Sequence, residues 1–211
     1  MTVTISRLYD DYSAAGQAVS DLEAAGLSSR DISIVASNAD NWYQGGRDMR
    51  TDRVDREGDR AEGAEAGAGI GAVVVGAAGL LAGLGVIAIP GIGPVVAAGW
   101  LAATAAGAVT GGIAGGIIGG LTQAGVSKDE AHVYAEGVRR GGTLVTARVP
   151  DGERSRYEAI LDSSAVNIRE RGEIYRREGW TGFDEKAKPY TAEQARRERE
   201  AYRSSGMDRP L

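Results

Sequence analysis

Apolar and polar residues alternate from Thr2 to Leu8, with Val3 and Ile5 on one side and Thr2, Thr4 and Ser6 on the other, which predicts a half-buried strand. Asp10 or Asp11 is placed to cap a helix whose apolar positions Ala15, Val19 and Leu22 fall at spacings of four and three, and Gly26 supplies a stop. Asp31 to Ala36 alternates again, with Ile32, Ile34 and Ala36 on one face, so residues 1–37 read as a βαβ unit. Residues 38–65 are rich in Asp, Arg, Glu and Gly with almost no aliphatics, and read as a charged flexible linker.

The pattern then changes. From Ala66 to Ser127 there is no Asp, Glu, Lys, Arg or His. Pro90-Gly91-Ile92-Gly93-Pro94 divides this stretch, and a proline on each side forbids one continuous helix across it. The expectation for residues 66–126 is therefore a hairpin of two apolar helices turning at Pro90, Gly91, Gly93 and Pro94. Arms of roughly 36 Å and 43 Å at the helical rise would each cross a hydrocarbon core of about 30 Å.

Glycine rows mark the packing faces of these arms. The second arm has Gly107, Gly111, Gly115 and Gly119 in one row and Gly112, Gly116 and Gly120 in another, with Val109, Ile113, Ile117 and Leu121 as the opposite ridge. The first has a looser row, Gly67, Gly71, Gly79 and Gly83, interrupted by Val75. This glycine zipper matches the small-xxx-small pattern of paired membrane helices. In water each interior glycine costs a helix about 1 kcal/mol relative to alanine, which favours the bilayer as its setting.

After the apolar stretch, Ser127 and Glu130 form a capping box before Ala131, Tyr134, Ala135 and Val138, and the helix ends near Gly141. Thr143 to Val149 alternates as a strand, Asp151 to Leu161 has helical spacing at Tyr157, Ile160 and Leu161, and Val166 with Ile168 makes a short last strand. The predicted class is α+β. A ferredoxin-like split βαβ domain, formed by residues 1–37 and 127–170, is interrupted by the hairpin.

Three passages, LYDDYSAAGQAVSDLEAAGLSSRDISIVA, IPGIGPVVAAG and KDEAHVYAEGVRRGGTLVTARV, resemble the bacterial general stress protein family with a YflT-type (general stress protein 17M-like) domain. The likeness covers roughly residues 2–170. It implies a stress-associated protein and supplies no catalytic residues.

Residues 171–211 alternate in charge. Thr191 and Gln194 are placed to cap a helix, TAEQARREREAYR, that is polar all round and predicts a disordered or solvated segment. Trp180, Phe183 and Tyr190 place three aromatics in the otherwise polar segment 179–190, available to anchor a protein partner, to fold back on the domain or to lie at a membrane interface.

The formal net charge of −5 offers no reason to bind nucleic acid, and the absence of cysteine removes thiol chemistry. The opening MTVTISRLYDDYSAAG lacks a basic region followed by an apolar run, so no cleavable signal peptide is expected. The runs at Gly67–Ala72 and Gly83–Ala88 match a loose GxGxxA pattern but lack the preceding strand or the following helix, so no nucleotide cofactor is expected. His132 has no second histidine or cysteine for a metal site, Asp10-Asp11 suits a helix N-terminus, and Arg139-Arg140 suits a helix C-terminus.

These readings predict a non-enzymatic protein without cofactor or metal. In the first reading it inserts in the inner (cytoplasmic) membrane through the glycine-zipper hairpin. Arginines at 50, 53, 56 and 60 before the hairpin and Lys128, Arg139 and Arg140 after it are expected to hold both termini on the cytoplasmic side. In the alternative it is a cytoplasmic ferredoxin-like binding or oligomerisation module whose hairpin packs on itself or on other copies. A homo-oligomer is compatible with both.

Overall fold

A computed structural model describes residues 1–43, 84–104 and 116–204. Its elements, in order, are β1 (Thr2–Tyr9), α1 (Tyr12–Ala24), β2 (Ile32–Ser37), β3 (Gly85–Ile89), β4 (Gly93–Gly99), α2 (Gly116–Gln123), α3 (Lys128–Arg139), β5 (Thr143–Pro150), α4 (Arg154–Asp162), α5 (Ile168–Arg177) and α6 (Ala192–Ser204). Residues 100–104 are also helical. The five strands form one antiparallel sheet in the order β1-β5-β2-β4-β3.

The alternating segments fold as their patterns predict. Val3 pairs with Val149 and Ile5 with Ala147, and Ile34 of β2 lies opposite Val145. These residues, with Ile32 and Ala98, bury one face of the sheet under Ala15, Val19 and Leu22 of α1 and Tyr157 and Leu161 of α4. Asp11 caps α1, accepting a hydrogen bond from the Ala14 N–H at 2.8 Å. Ser127 caps α3, accepting from the Glu130 N–H while its own hydroxyl donates to Glu130 Oε2 at 2.9 Å.

The sheet's other face is covered as well. Leu8, Leu144, Val35, Val95 and Ala97 pack there beneath Leu101, Ile117, Leu121, Ala131, Tyr134 and Val138. That is why β2 is buried at every position rather than at alternate ones.

The central stretch corrects the hairpin reading. Residues 85–99 form two strands, not the ends of two helices, and residues 90–92 join them as a β-hairpin turn. The Ile92 N–H donates to Ile89 C=O at 3.1 Å, Pro90 takes the second position and Gly91 the third with φ +74°, the arrangement of a type II turn. The physical reason lies in the residue types: Val86, Ile87, Ile89, Val95 and Val96 crowd the turn, and β-branched residues favour a pleated surface over a helix. The strand β4 pairs with β2 through Val35↔Ala97 and Ser37↔Val95, so the turn belongs to the folded domain rather than to the far end of a helical pair.

At Gly99 the chain leaves β4 with φ +89°, and a Cβ there would run into Ile32 C=O and Ser33. Only glycine lets the strand pass so close to β2 and turn into the helical residues 100–104. Gly120 in α2 approaches that same segment: a Cβ would meet Leu101 Cδ1 at 2.5 Å and Thr104 Cγ2 at 3.4 Å. Gly120 is thus a packing position, and what it packs on is the start of its own predicted arm. Gly116 and Gly119 also lie in α2. Gly67, Gly71, Gly79, Gly83, Gly107, Gly111, Gly112 and Gly115 lie outside the described residues. No described helix is long and apolar enough to cross a membrane.

Two further expectations change. The short last strand is a single bridge, Leu8↔Val166, because Asn167 caps α5 through the Arg169 and Glu170 N–H groups and Ile168 begins that helix. The tail is folded. The helix α6 is capped by Thr191 and Gln194 as its sequence predicts, but it does have a face to bury, formed by Ala195, Glu198, Arg199 and Tyr202 at helical spacing. That face is held by ion pairs and a tyrosine, so its apolar content is small.

Candidate functional site

Two features of the domain concentrate polar chemistry: a buried arginine network under the tail, and a groove beside β1.

The network begins at the end of α3. Arg140 is buried and donates to Glu136 at 2.8 Å, Glu178 at 2.6 Å and Glu198 at 3.2 Å, with its guanidinium 4.1 Å from the Tyr175 ring centre. Burial opposes the charge, but the hydrogen bonds to Glu136 and Glu178 outweigh it and raise the Arg140 pKa. Arg139 pairs with the other Glu136 oxygen at 3.0 Å and lies 5.0 Å from the Tyr190 ring. Arg171 makes two hydrogen bonds to Asp10 and stacks 3.7 Å from the Tyr202 ring. One acid of the Asp10-Asp11 pair therefore caps a helix and the other anchors α5.

The tail aromatics fold back on the domain. Trp180 meets Tyr175 edge-on at 5.8 Å, and the Phe183 N–H donates to Nδ1 of the half-buried His132 at 3.2 Å. The turn at Pro90–Pro94 is the seat of this segment: a Cβ at Gly91 would meet Asp184 C=O and Glu185 Cα at 2.8 Å, and one at Gly93 would meet Pro189 Cβ at 2.8 Å. Of the predicted site residues, the structure thus brings Gly91, Gly93, Phe183 and Tyr190 together on one side of the domain. Its chemistry is that of a clasp, in which Arg139 and Arg140 are bound to Glu136, Glu178 and Glu198.

The groove differs. It has a volume of about 470 Å³ between β1 and the ends of α3, α4 and α5, and its walls include Thr4, Ser6, Arg7, Tyr134, Asn167 and Arg169. β1 is an edge strand there. Among the described residues its outer edge is bridged only at Leu8, while the Ser6 carbonyl accepts from the Tyr134 hydroxyl at 2.7 Å and from Arg7 at 2.9 Å. Burial is the main reason the Tyr134 pKa is raised, so that hydroxyl stays protonated and donating. Arg7 is ion-paired with Asp162, and Arg154 with Glu158.

Beside this groove lie polar groups with no hydrogen-bond partner among the described residues, of which Ser6 lines the groove itself. Ser6 lies opposite Thr146 in the β1–β5 register, on the face toward α3, and the hydroxyls of both are buried without a hydrogen-bond partner. Ser33 continues this row on β2, but its hydroxyl donates to Ala98 C=O at 2.7 Å. Thr4 also borders a second cavity of about 340 Å³, whose lining includes Thr2, Trp100, Thr104, Gln123 and Arg148. The Trp100 indole N–H is buried and also unpartnered.

Sequence reasoning singled out none of Ser6, Thr146, Trp100 or Arg148. Periodicity assigns Thr4 and Ser6 to a solvated face, and only the helices that cover this face turn it into a cavity. No group of three or more His, Cys, Asp and Glu suited to a metal occurs among the described residues. Comparison with protein-family models, with curated proteins and with solved structures finds no match for this chain.

Proposed function

We propose that this protein is a non-enzymatic binding module of ferredoxin-like topology, and that its ligand is a small polar molecule held in the groove beside β1. The topological part rests on two βαβ units, β1-α1-β2 and β5-α4-Val166, whose helices lie on the same face of the sheet and whose strands interleave with Val166 next to β1 and β5 next to β2. The sheet is extended by β4 and β3, and its second face is covered by α2 and α3.

The observation that carries the binding reading is the buried hydroxyl of Ser6, a residue that lines the groove, which like that of Thr146 opposite it in the β1–β5 register has no hydrogen-bond partner among the described residues. A buried polar group left unsatisfied costs about 1–3 kcal/mol, so two adjacent ones mark a place where something else completes the bonding. The wall residues favour recognition over turnover: Tyr134 spends its proton on a carbonyl, and Arg7 and Arg154 are bound to carboxylates.

The test is amide NMR of the full chain against a panel of free amino acids, nucleosides and sugars. Saturable shifts at Ser6, Tyr134, Thr146 and Asn167 are expected with one class, and their loss in the Ser6→Ala, Thr146→Val double variant. No response from any class, together with a crystal structure in which ordered water alone bonds both hydroxyls, would overturn the reading.

A lipid contact now rests on the uncharged run at 66–83, which lies outside the described residues. Both of its flanks return to one sheet, since β2 pairs with β4, and a single crossing cannot satisfy that connection.

A further inference from the structure

We infer that the cavity at Trp100 and Arg148 is an oxyanion site, taking the carboxylate or phosphate group of a small ligand. This rests on the groove reading in that the two cavities share Thr4, but it is carried by different residues.

Arg148 is exposed, and its guanidinium lies 3.9 Å from the Trp100 ring centre. No carboxylate lies within ion-pairing distance of it among the described residues, whereas the arginines at 7, 140 and 171 all have one. A guanidinium seated over an indole face keeps its N–H donors for another partner, and its planar fork can receive two oxygens of one anion. The indole beneath it offers a second donor: Trp100 Nε1 is shielded from solvent, has no acceptor among the described residues, and can only donate.

The remaining wall agrees in sign. Among the described residues no Asp or Glu lines this cavity; Thr2 and Thr4 offer hydroxyls and Gln123 an amide. The Thr104 hydroxyl is already used, donating to Trp100 C=O at 3.0 Å, and that bond holds the first helical turn from which the indole projects. In a protein of net charge −5, a cavity with one arginine, one free indole N–H and no acid is a local reversal of potential. A neutral polar ligand would use the hydroxyls but leave the guanidinium unpaired; an oxyanion satisfies both donors.

The chain has three tryptophans, at 42, 100 and 180, so three indole N–H resonances report independently on three places. The experiment titrates the full-length, nitrogen-15-labelled protein with sodium phosphate and, separately, with sodium acetate, at ionic strength held constant with sodium chloride. A saturable shift of the Trp100 indole N–H, with those of Trp42 and Trp180 unmoved, is expected. Saturation by phosphate alone assigns a phosphate-bearing ligand, and by acetate alone a carboxylate. In Arg148→Gln the affinity should fall at least tenfold, and Arg148→Lys, which keeps the charge but not the planar fork, should fall between. No shift with either salt, equal shifts of all three indoles, or unchanged affinity in Arg148→Gln would overturn the inference. The groove is read at the amides of Ser6 and Thr146 and the anion site at the Trp100 indole, so failure of one is distinguishable from failure of the other.

Discussion

Asp10 and Arg171, separated by 161 positions in sequence, meet through two parallel hydrogen bonds of 2.8 and 2.9 Å and tie the start of α1 to α5. Arg171 is 3 % exposed, and the bonds to Asp10 raise its pKa against the opposing effect of burial. A pair this buried gives its net stabilisation only while both members are present. Asp10→Ala is expected to destabilise by about 3–5 kcal/mol, because it strands a buried cation, whereas Asp10→Ala with Arg171→Met should recover most of the loss. Urea unfolding of the two variants decides this, and an equal loss in both would remove the stranded-charge argument.

The Arg140 network makes a separate prediction about the tail. Its guanidinium is shared between Glu136 on α3, Glu178 just past α5 and Glu198 on α6, so one side chain closes three elements. Arg140→Gln should cost about 3 kcal/mol and expose the amides of 178–204 to hydrogen exchange, while β5 stays protected. Arg140→Lys should lie between, since a single ammonium cannot serve three carboxylates in one plane. Uniform loss of protection throughout the sheet would mean that the tail is not a separable layer.

Alkali should unfold the protein cooperatively. Burial is the first cause raising the pKa values of Tyr9, Tyr134, Tyr175 and Tyr202. A phenol whose folded pKa lies above its unfolded value of about 10 contributes full stability below that pH and loses it as the pH rises toward the folded pKa. The unfolded chain then releases protons that the native state retains, and each such tyrosine subtracts up to about 1.4 kcal/mol per pH unit. Phenolate absorbance of these four residues should therefore appear together with loss of circular dichroism above about pH 10. Phenolate formation in a chain that remains folded would contradict it.

Gly91 tests the seat of the tail. It has φ +74° and faces Asp184 C=O and Glu185 Cα, whereas Gly26 has φ +95° and open space around it. Replacing Gly26 with alanine should cost only the left-handed backbone penalty, about 1 kcal/mol. Gly91→Ala should cost more and should release residues 183–189, which exchange measurements on that segment would register. Equal costs would show that the turn and the tail are not in firm contact.

Much of this architecture is legible in the sequence, and the illegible parts share a cause. Val3, Ile5, Val145 and Val149 declare their strands by alternation, and Asp11, Ser127 and Thr191 declare their caps, because those signals are local. The β3–β4 hairpin is also local, but its evidence is residue type rather than periodicity: Val86, Ile87, Val95 and Val96 around a Pro-Gly turn outweigh the glycine rows on either side. The face of α6 is invisible to hydropathy because Glu198, Arg199 and Tyr202 are counted as polar. The groove is hardest to see. Ser6 and Thr146 look like ordinary outward-facing residues until α3 closes over them.

The last prediction concerns Gly120, where the glycine-row reading survives in altered form. Alanine there gains up to about 1 kcal/mol in helix propensity, so a helix valued for propensity alone would be stabilised by Gly120→Ala. The structure argues otherwise, because the added methyl would sit 2.5 Å from Cδ1 of Leu101, which is fully buried and has little room to withdraw. Overpacking of this kind costs about 1–3 kcal/mol. Gly120→Ala should therefore be neutral to destabilising despite its better propensity, and Gly120→Leu strongly destabilising. The decisive measurement is a double-mutant cycle with Leu101→Val, which removes the opposing δ-carbon. In that background the cost of Gly120→Ala should shrink or reverse, giving a coupling energy of about 1 kcal/mol or more between the two sites. Additive effects would show that α2 and residues 100–104 do not meet at Gly120.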